Sequence, residues 1–175
     1  MGYSAVMQQY LAVRNSLPKD CLLLFRLGDF YELFFEDAVT ASALLDVVLT
    51  SREGGQGRVA MCGIPFHAVE GYVQRLIRAG KKAAICEQVE DPKKAKGLVR
   101  REVTRIITPS TFVEDDSPDG YDSRYLVAVA RLPKLWGLAC LEPTTGEFIV
   151  SEYSQDEEVL AELARLCPTE LLIPQ

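Results

Sequence analysis

Histidine is nearly missing from this chain: His67 is the only one in 175 residues, and there is a single tryptophan. A lone imidazole that no sequence pattern pairs with a nucleophilic Ser or Cys and an orienting carboxylate does not make a catalytic triad. His67 reads instead as a structural hydrogen-bonding group near a helix start. The cysteines, Cys21, Cys62, Cys86, Cys140 and Cys167, are odd in number, widely spaced and lack a C-x-x-C pair. That argues against both a disulfide framework and a zinc site, and Cys62 and Cys86, set among apolar residues, read as buried inert thiols. No G-x-x-x-x-G-K-[ST] phosphate loop occurs. The glycines at 54, 55 and 57 lack the following Lys and helix that would accept phosphate, and read as a mobile loop. No apolar run approaches the roughly 18 to 20 residues that span a bilayer, and the N-terminus has no basic segment followed by an apolar one. The chain reads as cytoplasmic.

What is present is ordinary globular material, 48% hydrophobic and 25% charged, long enough to bury a sizeable core. The net charge of −6 speaks against a nucleic-acid partner until it is divided along the chain. Residues 1–112 carry 15 Lys and Arg against 12 Asp and Glu, a net of +3, whereas residues 113–175 carry 4 against 13, a net of −9. Between Arg75 and Arg105 the balance is 10 basic to 4 acidic. Such a segment, including Lys93, Lys94, Arg100 and Arg101, is either a phosphate-facing surface or a solvated charged face.

The most informative stretch is Gly28-Asp29-Phe30-Tyr31-Glu32-Leu33-Phe34, which follows the apolar run Leu22-Leu23-Leu24-Phe25-Arg26-Leu27. Alternation along an extended strand puts Phe30, Glu32 and Phe34 on one face and Tyr31 and Leu33 on the other. With Tyr31 and Leu33 in a core, a phenyl ring and a carboxylate are displayed together just after a Gly-Asp turn. The bland alternative is a half-buried strand with a solvated Glu.

Periodicity and punctuation organise the rest. Val6, Met7, Tyr10 and Leu11 recur at helical spacing, and Pro18 closes that helix. Residues 21–27 and 30–35 read as two strands or one bent strand, Asp37 as the cap of a helix through Leu45, and residues 47–51 as a short strand. Pro65 suits the first turn of a helix running to Ala79 with Gly80 as its terminator. Two strands near 83–89 and 99–107 flank a turn at Asp91-Pro92. Several connections are too short for parallel crossovers, which predicts an α/β fold with a mixed sheet packed by helices. The acidic run Glu114-Asp115-Asp116-Ser117-Pro118-Asp119-Gly120 reads as a boundary. Beyond it come three strands near 125–130, 135–141 and 147–152, a helix over 155–166 and a strand at 171–173.

The Phe30-Tyr31-Glu32 segment resembles the F-x-E signature of the MutS DNA mismatch-repair family. The likeness continues, in the family's order, through Met7-Gln8-Gln9-Tyr10-Leu11, Gly63-Ile64-Pro65-Phe66-His67-Ala68, Ile85-Cys86-Glu87-Gln88 and Arg105-Ile106-Ile107-Thr108-Pro109. Five motifs in register are specific where one would be weak. Trp136-Gly137-Leu138-Ala139 and Thr144-Thr145-Gly146-Glu147-Phe148 look like the start of the family's connector domain. Ser110 departs from the Gly common in the family's Thr-Pro-Gly-Thr turn, which bears only on local geometry.

The resemblance implies a mismatch-recognition domain over 1–112, a linker over 113–124, and over 125–175 the N-terminal part of a truncated ribonuclease-H-like connector. It implies binding of mismatched or unpaired bases in duplex DNA, with Phe30 stacking as a wedge, Glu32 hydrogen-bonding a displaced base, and Arg52 at a basic position of the family. Lys93, Lys94, Arg100 and Arg101 are further backbone-contact candidates from charge clustering. The implied module is non-enzymatic, without catalytic, cofactor or metal residues of its own. ATP and Mg are expected of the full-length protein, as are homodimerisation, the remaining MutS domains and a MutL-type partner through the connector. Two other readings stay open: a stand-alone α/β enzyme or small-molecule-binding domain using residues 54–57, and a protein-interaction module with Phe30 and Phe34 as an exposed hot spot.

Overall fold

The computed structural model describes residues 2–90, 97–112 and 124–174. The chain divides into two compact units, Met1–Thr108 and Pro109–Gln175. The Asp91-Pro92 turn and the acidic run 114–120 lie outside the described residues. No described helix is long and apolar enough to cross a membrane.

The first unit runs α1 (Ala5–Arg14), β1 (Cys21–Leu27), β2 (Phe30–Phe34), α2 (Phe35–Leu45), β3 (Thr50–Glu53), β4 (Arg58–Pro65), a 3-10 turn (Phe66–Ala68), α3 (Val69–Arg78), β5 (Lys82–Gln88) and β6 (Arg101–Ile107). The strands form one sheet in the order β3-β4-β2-β1-β5-β6. β1 and β5 pair in parallel and all other neighbours are antiparallel, the mixed sheet that the short connections predict. One face of this sheet receives α1. Met7 and Tyr10 pack there on Cys21, Leu23, Phe25, Phe34, Val59, Ala84 and Cys86. Alternate residues, Leu22, Leu24, Leu33, Cys62, Ile64 and Ala83, are buried on the opposite face, where α2 and α3 lie against β2, β4 and β5. At the centre of the sheet both faces are covered, so β1 reads as a continuous apolar run. Each fully buried Leu or Phe contributes about 1.5 to 3 kcal/mol.

Helix ends follow local chemistry. The Ser4 hydroxyl accepts the Met7 amide at the start of α1. Gly80 takes φ 73° after α3, and the amides of Gly80 and Lys81 close back onto Ile77 and Leu76, the left-handed termination expected at that glycine. Three expectations are corrected. Asp37 does not cap α2, which begins at Phe35 behind an extended Phe34; its carboxylate is buried in the sheet-facing first turn. The 47–51 strand is displaced to Thr50–Glu53, with Val48 and Leu49 exposed. β4 has no counterpart in the sequence expectation: Pro65 ends that strand and caps the 3-10 turn, and the helix expected from Pro65 to Ala79 begins at Val69. The intervening glycines form the loop of the β3–β4 hairpin. Gly54 and Gly57 close a hairpin with a 2.9 Å hydrogen bond, and the Ser4 amide donates to Gly54 O at 2.8 Å. A Cβ on Gly55, whose φ is 94°, would come within 2.7 Å of the Ser4 nitrogen. Glycine is needed there because two backbones touch.

The second unit contains β7 (Leu126–Arg131), β8 (Trp136–Glu142), β9 (Glu147–Tyr153), α4 (Asp156–Leu166) and β10 (Glu170–Leu172). Its sheet order is β10-β7-β8-β9, with β10 parallel to β7 and the other pairs antiparallel. Val127, Leu138, Cys140 and Leu166 form its core. α4 starts in a capping box between Gln155 and Glu158 and ends at Cys167, in the left-handed region with φ 45°.

Candidate nucleic-acid interface

The β1–β2 hairpin closes through Gly28 and Asp29, with Leu27 opposite Phe30. Gly28 supplies the positive φ, 59°, that such a two-residue turn demands. Phe30, Glu32 and Phe34 share the face on which α1 packs, but they meet different fates along it. Phe34, under α1, is fully buried, Glu32 is half-buried, and Phe30 at the hairpin tip is 46% exposed. The helix covers one end of the strand and leaves the other open. Tyr31 and Leu33 point into the opposite core as the alternation predicts. The burial of Phe34 removes the paired Phe30–Phe34 hot spot, because the ring packs edge-on against Tyr10, 5.0 Å between centres, in a cluster that Tyr10 centres.

Across the sheet, Gly63 of β4 stands opposite Glu32, and Pro65 opposite Phe30. A Cβ at Gly63 would sit 3.7 Å from both Glu32 Cγ and Phe30 Cδ1, so the bare backbone is the bed on which these two side chains rest. Arg52 reaches in from β3, and its Nη1 donates to Glu32 Oε2 at 2.9 Å. The structure thus brings together the three residues named first from the sequence: an exposed ring, a half-buried carboxylate and a guanidinium.

The other side of the hairpin is braced by residues the sequence reading did not single out. Arg26 lies 3.9 Å from the centre of the Phe66 ring and 5.5 Å from that of Tyr31. The Phe66 amide donates to Asp29 O at 3.0 Å. The Tyr31 hydroxyl donates to Glu87, and burial, then this carboxylate, pushes its pKa up to about 12. Phe66 remains 42% exposed. Its signal in the sequence was an aromatic directly after Pro65, at the end of a strand that went unrecognised.

The basic candidates separate. Arg101 is not a surface contact: it is buried, its Nε donates to Arg26 O at 2.6 Å and its Nη1 to Gln9 Oε1 and Val99 O. Its guanidinium also stacks 5.1 Å from the Phe25 ring centre. Burial lowers its pKa, and the residue works as an internal clamp between α1, β1 and β6. Clustering of charge in sequence could not reveal this, because Arg101 begins β6 with its side chain on the α1 face. Arg100 is exposed and pairs with Glu102 at 3.4 Å. Lys93 and Lys94 lie outside the described residues. Burial pushes the thiols of Cys21 and Cys62 up to about 11 and that of Cys86 to about 12, away from nucleophilic behaviour at neutral pH.

Comparison with known proteins finds relatives over nearly the whole chain. The model of MutS domain I matches residues 4–116 and that of MutS domain II residues 124–175. The chain is 51% identical over 172 residues to the DNA mismatch repair protein MutS of Pelotomaculum thermopropionicum, covering 97% of this chain and 20% of that protein. It is 52% identical over 171 residues to that of Syntrophobacter fumaroxidans, with 96% and 19% covered, and 51% over 176 residues to that of Carboxydothermus hydrogenoformans, with 99% and 21%. The chain therefore spans about a fifth of the length of these relatives. With both domain models matched in order, the F-x-E strand end open at a hairpin tip and the second sheet built as expected, the chain belongs to the MutS family.

Proposed function

We propose that this chain recognises mispaired or unpaired bases in duplex DNA as the first step of mismatch repair. The observation that carries the reading is the placement of Phe30, exposed on the same open strand end as Glu32, while Phe34 on that face is buried. A wedge inserted at the minor groove must offset a few kcal/mol of unstacking and about 1 to 6 kcal/mol of bending, against roughly 1 to 3 kcal/mol returned by an aromatic stack. For a well-paired duplex these nearly cancel. A mispair is already poorly stacked and easily bent, so the balance there becomes favourable, and deformability is read more than sequence. Glu32 accepts a hydrogen bond from a displaced base or, protonated, donates one to a ring nitrogen. On intact DNA neither partner is presented, and the carboxylate repels phosphates.

Arg52, Arg100, Lys93 and Lys94 are backbone contacts in this reading, holding the duplex without reading it. Residues 1–112 form the recognition domain, 113–124 a linker and 125–175 the first part of the connector. The full-length protein acts as a cytoplasmic homodimer, with a MutL-type partner reached through the connector. ATP and Mg belong in this reading to the full-length protein; this sequence has no phosphate loop, and no cluster of three metal-ligating side chains occurs among the described residues. The competing small-molecule reading loses its support because residues 54–57 are a closed hairpin pinned to the N-terminal segment.

The test is Phe30→Ala in the full-length protein, titrated against homoduplex and single-mispair duplex of the same flanking sequence. The expected result is loss of most of the mismatch preference, with thermal stability changed by no more than about 0.5 kcal/mol for a surface position. Unchanged preference, or an unfolded domain, would refute the wedge.

A further inference from the structure

Arg52 and Glu32 are not neighbours in the sheet. Arg52 stands opposite Val59 on β4, whereas Glu32 stands opposite Gly63, two same-face positions further along and on the far side of that strand. Their 2.9 Å contact requires the arginine to run diagonally over β4, beside the one position on that face, Gly63, that presents no side chain. Exposed ion pairs contribute little to stability, and here the Arg52 side chain keeps 42% of its surface in solvent against 18% for Glu32. A long side chain is ordered across a strand for little gain in folding. The gain lies in geometry: one carboxylate oxygen, Oε2, is held, and Oε1 is left to meet a base.

We infer that Arg52 is the positioning residue of Glu32, fixing the carboxylate's orientation and bridging it to a backbone phosphate when DNA binds. This rests on the lesion-reading role given to Glu32 above. A guanidinium has five N–H donors, and one is engaged by Oε2, so the fork retains donors for a phosphate without releasing Glu32. The same contact places a positive charge against the carboxylate, which lessens its repulsion of the DNA backbone. Among the described residues a second cation near Glu32 is Arg101, whose charged form Glu32 favours; it is buried, and its Nε and Nη1 donate to Arg26, Gln9 and Val99. Its burial keeps it from a phosphate, which leaves Arg52 as the exposed partner of Glu32.

A simple backbone contact and a positioning residue differ in what their loss does to discrimination. The experiment is a double-mutant cycle in the full-length protein with Arg52→Gln, Glu32→Gln and the combination, each titrated against homoduplex and single-mispair duplex. The positioning role predicts that Arg52→Gln lowers the mismatch-to-match ratio roughly fivefold or more, the scale of a charge-assisted hydrogen bond, and that adding Glu32→Gln lowers it no further. Arg52→Lys, which restores a single charged donor but not the fork, is expected to recover part of the ratio and gives the same comparison if the Gln variant folds poorly. Equal weakening toward both duplexes, additive with Glu32→Gln, would overturn the inference and leave Arg52 a phosphate contact. A ratio unchanged by Glu32→Gln itself would instead remove the role of Glu32, a separate failure.

Discussion

At the scale of single residues, Asp37 shows how an acidic side chain can hold a fold together from inside. Its Oδ2 accepts the Tyr10 hydroxyl and the Leu23 amide, both at 3.1 Å, and Arg14 pairs with the carboxylate at 2.9 Å. It thereby ties α1, β1 and α2 at one point, and the N-terminal turn of α2 favours the negative charge. Asp37→Ala would strip the Leu23 amide of this acceptor and break the Arg14 ion pair, leaving the Tyr10 hydroxyl only Phe34 O and the Arg14 guanidinium only Pro18 O and Lys19 O. The expected cost is about 3 to 5 kcal/mol, a large share of a typical domain's stability, measured as a shift of the urea midpoint. Asp37→Asn retains an acceptor for Tyr10 and Leu23 and is expected to lose clearly less. The sequence marked Asp37 as a helix cap because short polar residues at helix starts usually are. Only the packing of α1 across the same end of the sheet turned the carboxylate inward.

At the scale of elements, the β8–β9 turn is stapled by Glu142. The Thr144 hydroxyl donates to Oε1 at 2.5 Å and the Thr145 amide to Oε2 at 2.6 Å, and these bonds, the Thr144 hydroxyl foremost, hold the carboxyl down at about 2. A carboxylate whose folded pKa is depressed stabilises the fold fully above its unfolded value, about 4.3, and the contribution disappears as pH falls toward 2. The second unit should therefore lose stability across that window, and Glu142→Gln should flatten the decline. Melting temperatures of the two proteins between pH 2 and 6 check this; parallel curves would contradict it. The Thr-Thr-Gly turn was legible in the sequence from its residues alone, whereas its staple was not, since a Glu at a strand end is ordinarily solvated. The reverse error occurred at β4. Its apolar residues were hidden between a glycine cluster and a proline, two local signals of loop and helix start, and the pairing with β2 overrode both.

At the scale of the whole molecule, charge is divided so that residues 1–112 are net positive and residues 113–175 strongly negative. Part of the basic excess is spent internally: Lys82 pairs with Asp20 at 3.3 Å, and Arg101 is interior. DNA binding by the proposed route should still weaken steeply with salt, with a log–log slope of about −0.9 per phosphate neutralised. Reversing Lys93 and Lys94 to Glu is expected to lower affinity for matched and mismatched duplex alike and to make that slope shallower. A loss confined to mismatched DNA, seen in titrations at two salt concentrations, would show these lysines reading the lesion.

The alternation of Phe30 to Phe34, the turn at Gly28, the helical spacing in α1 and α3 and the mixed character of the first sheet were determined by local sequence, because period, turn chemistry and connection length act over a few residues. What only the tertiary structure decided is where each face ends up. α1 covers Phe34 and stops short of Phe30, which separates a core ring from an exposed one on the same strand face. Arg101 turns inward while Arg52 crosses β4 to Glu32. These outcomes depend on the length of one helix and the register of three strands, which are set by contacts between residues far apart in the chain.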